Sequence, residues 1–509
     1  MSISSAGPLA SRRLFLTRAL ATTGALAATG LLAACGGAAS GGASPSGVSA
    51  TVSANTTTSP ATASTAAAAT TSAASSTSAV ATAAPATSSA ATATTAAAVA
   101  PAGQAVELNF YYPVGVSGPL AKIVDGLTNT FSQQNPSIKV TPIYSGDYVS
   151  TFNKVEQQVQ AGAPPDVAII NAAAIYSLTD TKAILQLDDL IKTSGGSAYL
   201  NDFFPAFLMN SQLNGQTWGI PFQRSTLISY YNKDLFQKAG LDPNTPPKSW
   251  TDLVDMGKKL TQKDASGKVT GYGIGFPSDG TSYWEFQALA IEAGQNVFKN
   301  DAGNVVYFNA QPTIDALQFL VDLSHKDGVM QTGTVSWATL PTDFDASKVG
   351  VIYHSTGSLT SIVTGAKFQL GAANCPAGKQ FGTPTGGGNL YMFKDSTADH
   401  KTAAWQFIQW MSTPEREVEW TIATGYVAPR KSAWDTPAMQ AYIAKTPQVT
   451  VARDQLQYAQ NELGTHNMAE VQAILSNAIQ AALTGQQTPK AALDSAQAQA
   501  AKILSAYTN

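Results

Sequence analysis

An α/β fold of two lobes is predicted for the chain from about residue 105 to its end. Three observations predict it. Apolar residues switch repeatedly between strand and helix spacing from Val106 onward. The strand–helix series starts a second time after Trp218-Gly219-Ile220-Pro221. The stretch holds ~400 residues, enough to bury two full cores.

The elements follow in order. Val106 to Tyr112 alternates as a strand does, and Leu120, Ile123, Val124, Leu127 and Phe131 then fall on one helix face. Ile138 to Tyr144 is strand-like again, and Phe152, Val155 and Val159 mark a second helix. Pro165 to Ile170 is the short apolar run of a strand buried on both faces. This β-α-β-α-β order implies a parallel sheet covered by helices. The second series has a helix near Thr251 to Leu260, a strand at Gly271 to Gly275, a helix near Ile314 to Leu323 and a strand at Val349 to Tyr353. The end is mostly helical, at about Asp399 to Met411, Pro414 to Ala423, Ala469 to Leu483 and Pro489 to Tyr507.

The first fifth of the chain has a different character. Arg12, Arg13 and Arg18 precede an apolar stretch from Ala19 to Ala34 that is too short for an ordinary membrane span. Ser11-Arg12-Arg13-Leu14-Phe15-Leu16 resembles the twin-arginine export signal, and Leu32-Ala33-Ala34-Cys35 resembles the lipobox of bacterial lipoproteins. Residues 1–34 are therefore expected to be a twin-arginine lipoprotein signal peptide, with Cys35 as the lipidation site; the alternative is a plain secretory signal and a chance cysteine. Residues 35–104 have no charge and almost no side chain large enough to bury, so they are expected to be a disordered Ala/Ser/Thr-rich tether. Lipidation of Cys35 leaves Cys375 as the only other cysteine, so no internal disulfide is possible.

Charge and catalytic patterns narrow the function by exclusion. Without the three signal arginines, 27 basic residues face 33 acidic ones, and no Lys/Arg run appears in the folded part. A nucleic-acid footprint is unsupported. The four histidines, His325, His354, His400 and His466, show no metal-ligand spacing. No Walker or Rossmann glycine pattern appears, so no cofactor, no metal and no catalytic residue is expected. His354, beside Ser355, is the one residue that keeps a surface-anchored hydrolase open as an alternative.

Several stretches resemble one family. They are Trp218-Gly219-Ile220-Pro221-Phe222, Ser225-Thr226, Tyr230 to Phe236, Ala239 to Pro243, Pro246 to Trp250, Ser355 to Leu359, Thr424 to Val427, and Thr484 to Pro489. Over about 400 residues the chain resembles bacterial extracellular solute-binding protein family 1 of ABC importers, and most of all its glycerol-3-phosphate and glycerophosphodiester-binding branch. The resemblance implies a type II periplasmic-binding-protein-like fold with a ligand cleft between lobes. Lobe 1 is then expected at 105–222 and about 368–425, and lobe 2 at 223–367 and about 426–509. It also implies a monomer outside the cytoplasm, lipid-anchored to the membrane, which hands a small solute to the permease subunits. That solute is glycerol 3-phosphate, a glycerophosphodiester or a carbohydrate, the alternative being a member specific for neutral sugars or oligosaccharides.

The expected ligand-binding residues combine both kinds of reasoning. Ser355-Thr356-Gly357-Ser358 follows a strand and precedes a helix, where backbone N–H groups and the hydroxyls of Ser355 and Ser358 can hold a phosphate or a sugar hydroxyl. A plain helix cap is the other reading of that serine. Gly386-Gly387-Gly388 is a second place for close approach, with Gly387 at its centre, or simply a loop. Tyr148, Trp284 and Tyr426 align with ring positions of the branch, though each could equally be core. Two positions depart from the branch: near Asn171 or Ala172 its carboxylate is missing, and Glu462 to Asn467 holds no arginine for a phosphate. Arg224, beside Ser225, is the first candidate replacement, and Arg430 the second.

Overall fold

Strand β1, Val106–Tyr112, turns Leu108, Phe110 and Tyr112 inward, as its alternation predicts. The structure is a computed structural model that describes residues 105–508 apart from 117, 281, 300, 301, 395 and 396. The expectations for the signal peptide, Cys35 and the tether lie outside the described residues. Helix α1, Leu120–Gln134, buries Leu120, Val124, Leu127 and Phe131 on one stripe; each such side chain contributes about 1.5–3 kcal/mol. Strand β2 is Ile138–Tyr144. Helix α2, Tyr148–Gln160, starts where Asp147 accepts a hydrogen bond from the Ser150 N–H at 2.7 Å. Strand β3, Val167–Asn171, is the expected doubly buried run. β1 pairs in parallel with both β2 and β3, which makes a three-stranded parallel wing.

The second wing has a parallel pair of strands and a larger helical cover. Helix α3 is Trp250–Leu260, opened by a capping box between Ser249 and Asp252. Strand β5, Val269–Gly275, runs parallel to β6, Val349–Ser355. Helices α4, Ser282–Glu292, and α5, Gln311–His325, cover it together with α8, Met468–Leu483, and α9, Pro489–Leu504. Helices α6, Ala398–Met411, and α7, Pro414–Thr424, pack their apolar faces against the first wing and the central strands.

Two antiparallel strands join the wings. β4 spans Ile220–Asn232 and β8 spans Thr383–Met392, and every residue of both is buried. The ten-stranded sheet runs β2-β1-β3-β8-β4-β6-β5, with a short edge strand, Gln262–Lys263, after β5. Strand β7, Leu370–Ala373, pairs with the far end of β4, and Ala459–Gln460 pairs with β8. The first half of β4 lies on β8 and its second half on β6, so one strand belongs to both wings. The fold is the two-lobed periplasmic-binding-protein-like α/β architecture.

Two local expectations change. Gly386, Gly387 and Gly388 lie within β8, not in a loop before a strand. The reason is close approach: a Cβ on Gly386 would meet the Trp284 ring at 2.7 Å, and one on Gly388 would meet Ile169 at 2.6 Å. The last helix ends at Leu504, with a single 3-10 turn over Ser505–Tyr507.

Candidate functional site

A cavity of about 360 Å³ opens where the two wings meet. Its floor is one row of paired backbone: Asn171 on β3 lies opposite Gly388 on β8, which lies opposite Gln223 on β4. Gly387 takes φ +87°, and a Cβ there would sit 1.9 Å from the Gln223 carbonyl. Only glycine fits, and a β-bulge follows between Gly388 and Asn389.

The first wing supplies Tyr148, at the start of α2, and Asn171. Gln223 lies beneath and donates from one amide nitrogen to the hydroxyls of both Tyr148, at 2.6 Å, and Tyr426, at 3.2 Å. Tyr426 stacks in turn on Trp420, with ring centres 6.2 Å apart. The second wing supplies Tyr283, Trp284 and Glu285 from α4, then Trp337 and Ser355. Trp284 is fixed by its indole N–H donating to the Thr385 carbonyl at 2.9 Å. Trp337 is fixed by His354, whose ring stacks on it at 3.8 Å. Burial pulls the His354 imidazole down to about 4, so it is a neutral packing group. Ser355 both lines the cavity and caps the turn after β6, accepting from the Gly357 N–H at 3.0 Å.

Glu462 joins the two sides. Its Oε1 accepts from the Asn171 amide at 3.1 Å and from the Tyr283 hydroxyl at 2.8 Å. Its backbone is held by Asn210, which accepts from the Glu462 N–H at 3.0 Å. Burial pushes the carboxyl up to about 7, against the pull of those two hydrogen bonds and of the Arg224 charge. Burial also raises Glu285 well above the usual carboxylate range, and the negative charges of Asp279 and Glu462 add to it.

Six of the eight expected ligand-binding residues therefore meet on one cavity: Tyr148, Ser225, Trp284, Ser355, Gly387 and Tyr426. Arg224 and Ser358 do not line it. Side chains alternate along a strand, so the residue beside cavity-facing Ser225 points the other way. Arg224 is fully buried behind β4, donates to Asn389 Oδ1 at 2.8 Å and lies 5.2 Å from the Phe207 ring centre. Burial lowers its guanidinium to about 10. Ser358 closes the buried turn Thr356–Ser358 and accepts at its carbonyl from the Ser361 hydroxyl. Arg430 is held by Asp202 and the Ser412 carbonyl, with Glu417 nearby, over the rings of Tyr199 and Phe203. Glu285, Glu462, Tyr283 and Trp337 escaped the sequence reading. Glu462 belongs to no motif, and its segment, Glu462 to Asn467, stands out in the sequence only by lacking an arginine. Among the described residues no cluster of His, Cys, Asp or Glu could hold a metal ion.

Comparison with known proteins bears on the family and the fold. Residues 126–447 match the model of the bacterial extracellular solute-binding proteins. The chain belongs to that family. Among relatives, the sn-glycerol-3-phosphate-binding periplasmic protein UgpB of Escherichia coli K12 is 28% identical over 398 residues, covering 75% of this chain and 89% of its own. UgpB of Mycobacterium tuberculosis, solved with glycerophosphocholine, superposes with a TM-score of 0.70 at 24% identity, covering 79% of this chain and 98% of that one. Maltose-bound MalE3 of T. maritima gives 0.68 at 21% identity, with 78% and 100% covered. This solute-binding protein is thus the extracytoplasmic ligand-capturing component of an ABC importer, with a small solute and the permease as its partners. It is a binding protein, not an enzyme.

Proposed function

We propose that this solute-binding protein captures a carbohydrate or similar polyol in the interlobe cavity. One observation supports this above others: the described lining carries six aromatic side chains and no Lys, Arg or His. Rings of Tyr148, Trp284 and Tyr426 suit the C–H faces of a sugar. Ser225, Ser355 and Asn171 then serve as hydrogen-bonding groups, with Gly387 admitting the ligand to the backbone. A phosphate dianion placed beside Glu462 and Glu285 would meet carboxyls and no guanidinium. The second reading, glycerol 3-phosphate or a glycerophosphodiester, is favoured by the E. coli relative, 28% identical over most of its length.

Melting of the purified protein against glucose, maltose-type oligosaccharides, glycerol 3-phosphate and glycerophosphodiesters tests the two readings. A native-state binder raises Tm by mass action. A shift with a sugar that Trp284→Ala reduces, at a cost of ~2 kcal/mol in affinity, is the expected result. A shift confined to glycerol 3-phosphate rejects the carbohydrate reading.

The two-lobe division expected above, 105–222 with about 368–425 and 223–367 with about 426–509, belongs to the same proposal with one bound moved, the return crossing at about 368. Buried Cys375 and the partly buried Ala373 pack in the second wing's core, which favours placing the return crossing at β8. Anchoring through an acylated Cys35 completes the proposal. Fatty-acid labelling lost in Cys35→Ser supports it, and labelling that persists rejects it.

A further inference from the structure

The cavity wall has a charge pattern that a plain sugar does not require. Glu285 and Glu462 both line the cavity, each is 2% exposed, and each keeps its Oε2 without a hydrogen-bond partner. Asp147 lines the same space, and Asp279 is near enough to act on Glu285. The guanidinium within electrostatic reach of Glu462 is that of Arg224, which is buried behind β4 and bonded to Asn389. The same lining holds the rings of Tyr148, Phe152, Tyr283, Trp284, Trp337 and Tyr426. Ring faces attract cations and repel anions. A buried carboxyl with an unpaired oxygen is costly unless a ligand supplies a donor or a counter-charge.

Resting on the reading of this cavity as the solute site, we infer that the captured solute bears an ammonium group, primary or quaternary, held between Glu285, Glu462 and the aromatic wall. A neutral polyol can donate its hydroxyls to the carboxyls but brings them no counter-charge. An ammonium group gives both carboxyls a counter-charge and gives the rings a cation to face. Its capture has a second consequence. Burial favours the protonated form of both carboxyls in the empty site. A cation favours the ionised form, so binding expels protons to solvent.

Titration calorimetry on the full chain with two matched pairs tests the inference. One pair is glucosamine and N-acetylglucosamine, which differ in the charge on nitrogen. The other is choline and dimethylbutanol, its uncharged carbon isostere. The expected result is an ammonium member that binds at least ~10-fold tighter than its partner, with a heat that varies with the buffer's ionisation enthalpy. Glu285→Gln and Glu462→Gln, both near-isosteric, should erase that preference, read as the ratio of the two affinities within each variant. Preference in the first pair alone identifies an amino sugar; in the second alone, a choline-type headgroup. An uncharged member that binds as tightly as its ammonium partner overturns the inference. So does a preference that survives in both glutamine variants. If N-acetylglucosamine binds and neither cation does, the carbohydrate reading stands and this inference falls. If choline binds and no sugar does, the inference stands and the carbohydrate reading falls.

Discussion

Strands β3 and β4 are both buried, for opposite reasons. β3 reads Val167-Ala168-Ile169-Ile170-Asn171, and its four apolar residues are buried by the hydrophobic effect alone. β4 buries thirteen residues, among them Gln223, Arg224, Ser225, Thr226, Ser229 and Asn232. Desolvating those groups is unfavourable unless each finds a partner. Most do: Gln223 holds two tyrosine hydroxyls, Arg224 holds Asn389, Ser229 donates to Ala373, and Asn232 donates to Ser347. An apolar strand can only be packed. A polar strand crossing between lobes can also be aimed at a solute: β4 and β8 give the cavity Ser225 and Gly387, and β3 reaches it only through its one polar residue, Asn171.

The difference is sharpest at glycines. Gly387 on β8 has φ +87° and its Cβ would stand 1.9 Å from the Gln223 carbonyl. Gly126 on α1 has nothing within 4 Å of its Cβ. Gly387→Ala should destabilise the fold by about 4 kcal/mol, through left-handed strain and the clash together. Gly126→Ala should stabilise it by about 0.5–1 kcal/mol. Denaturant unfolding of both variants measures this. Equal effects would mean that the central strands tolerate change as readily as the wing.

Arg224 probes the polar strand directly. Removing its side chain in Arg224→Ala leaves Asn389 Oδ1 unpaired, empties space over Phe207 and takes a positive charge away from Glu462. A stability loss of about 3 kcal/mol is expected. Affinity for the solute should fall less than in Trp284→Ala, because the guanidinium does not face the cavity. Calorimetry beside thermal melting separates the two effects. A large affinity loss with unchanged melting would return Arg224 to the binding surface.

The same contrast explains what was legible in the sequence. The parallel wing was legible residue by residue, since β1, α1, β2, α2 and β3 each carry an apolar period. Tyr148, Trp284, Ser355 and Tyr426 were reachable through family resemblance, and all four line the one cavity. β4 was not legible as one strand, because its polar residues break any apolar alternation. β8 was masked by its three glycines, which look like a loop until the Trp284 ring is laid against them. Ser225 and Arg224 are neighbours in sequence and face opposite ways, a distinction that needs the strand to be known first. Glu462 lies far from every other cavity residue of β3 and β4 in the chain, and only the fold brings its carboxyl to Asn171.

Glu462 also predicts how stability depends on pH. Its carboxyl rises from 4.5 to about 7 in the folded state. Between those values the folded protein keeps a proton that the unfolded chain has released. Stability contributed by this group is therefore full below about pH 4.5 and is lost as pH rises through about 7. The loss is of the order of 2–3 kcal/mol. Glu285 and Glu292 are raised by burial as well, so the native curve should fall across neutral pH more steeply than Glu462 alone requires. Glu462→Gln removes one titrating group and keeps an acceptor for Asn171 and Tyr283. Its stability should fall less between about pH 5 and pH 8, and the two curves should diverge most at the alkaline end. Parallel curves would place the Glu462 carboxyl in a wetter setting than its hydrogen bonds describe. The polar centre would then differ from the apolar wing in composition but not in the cost of its burial.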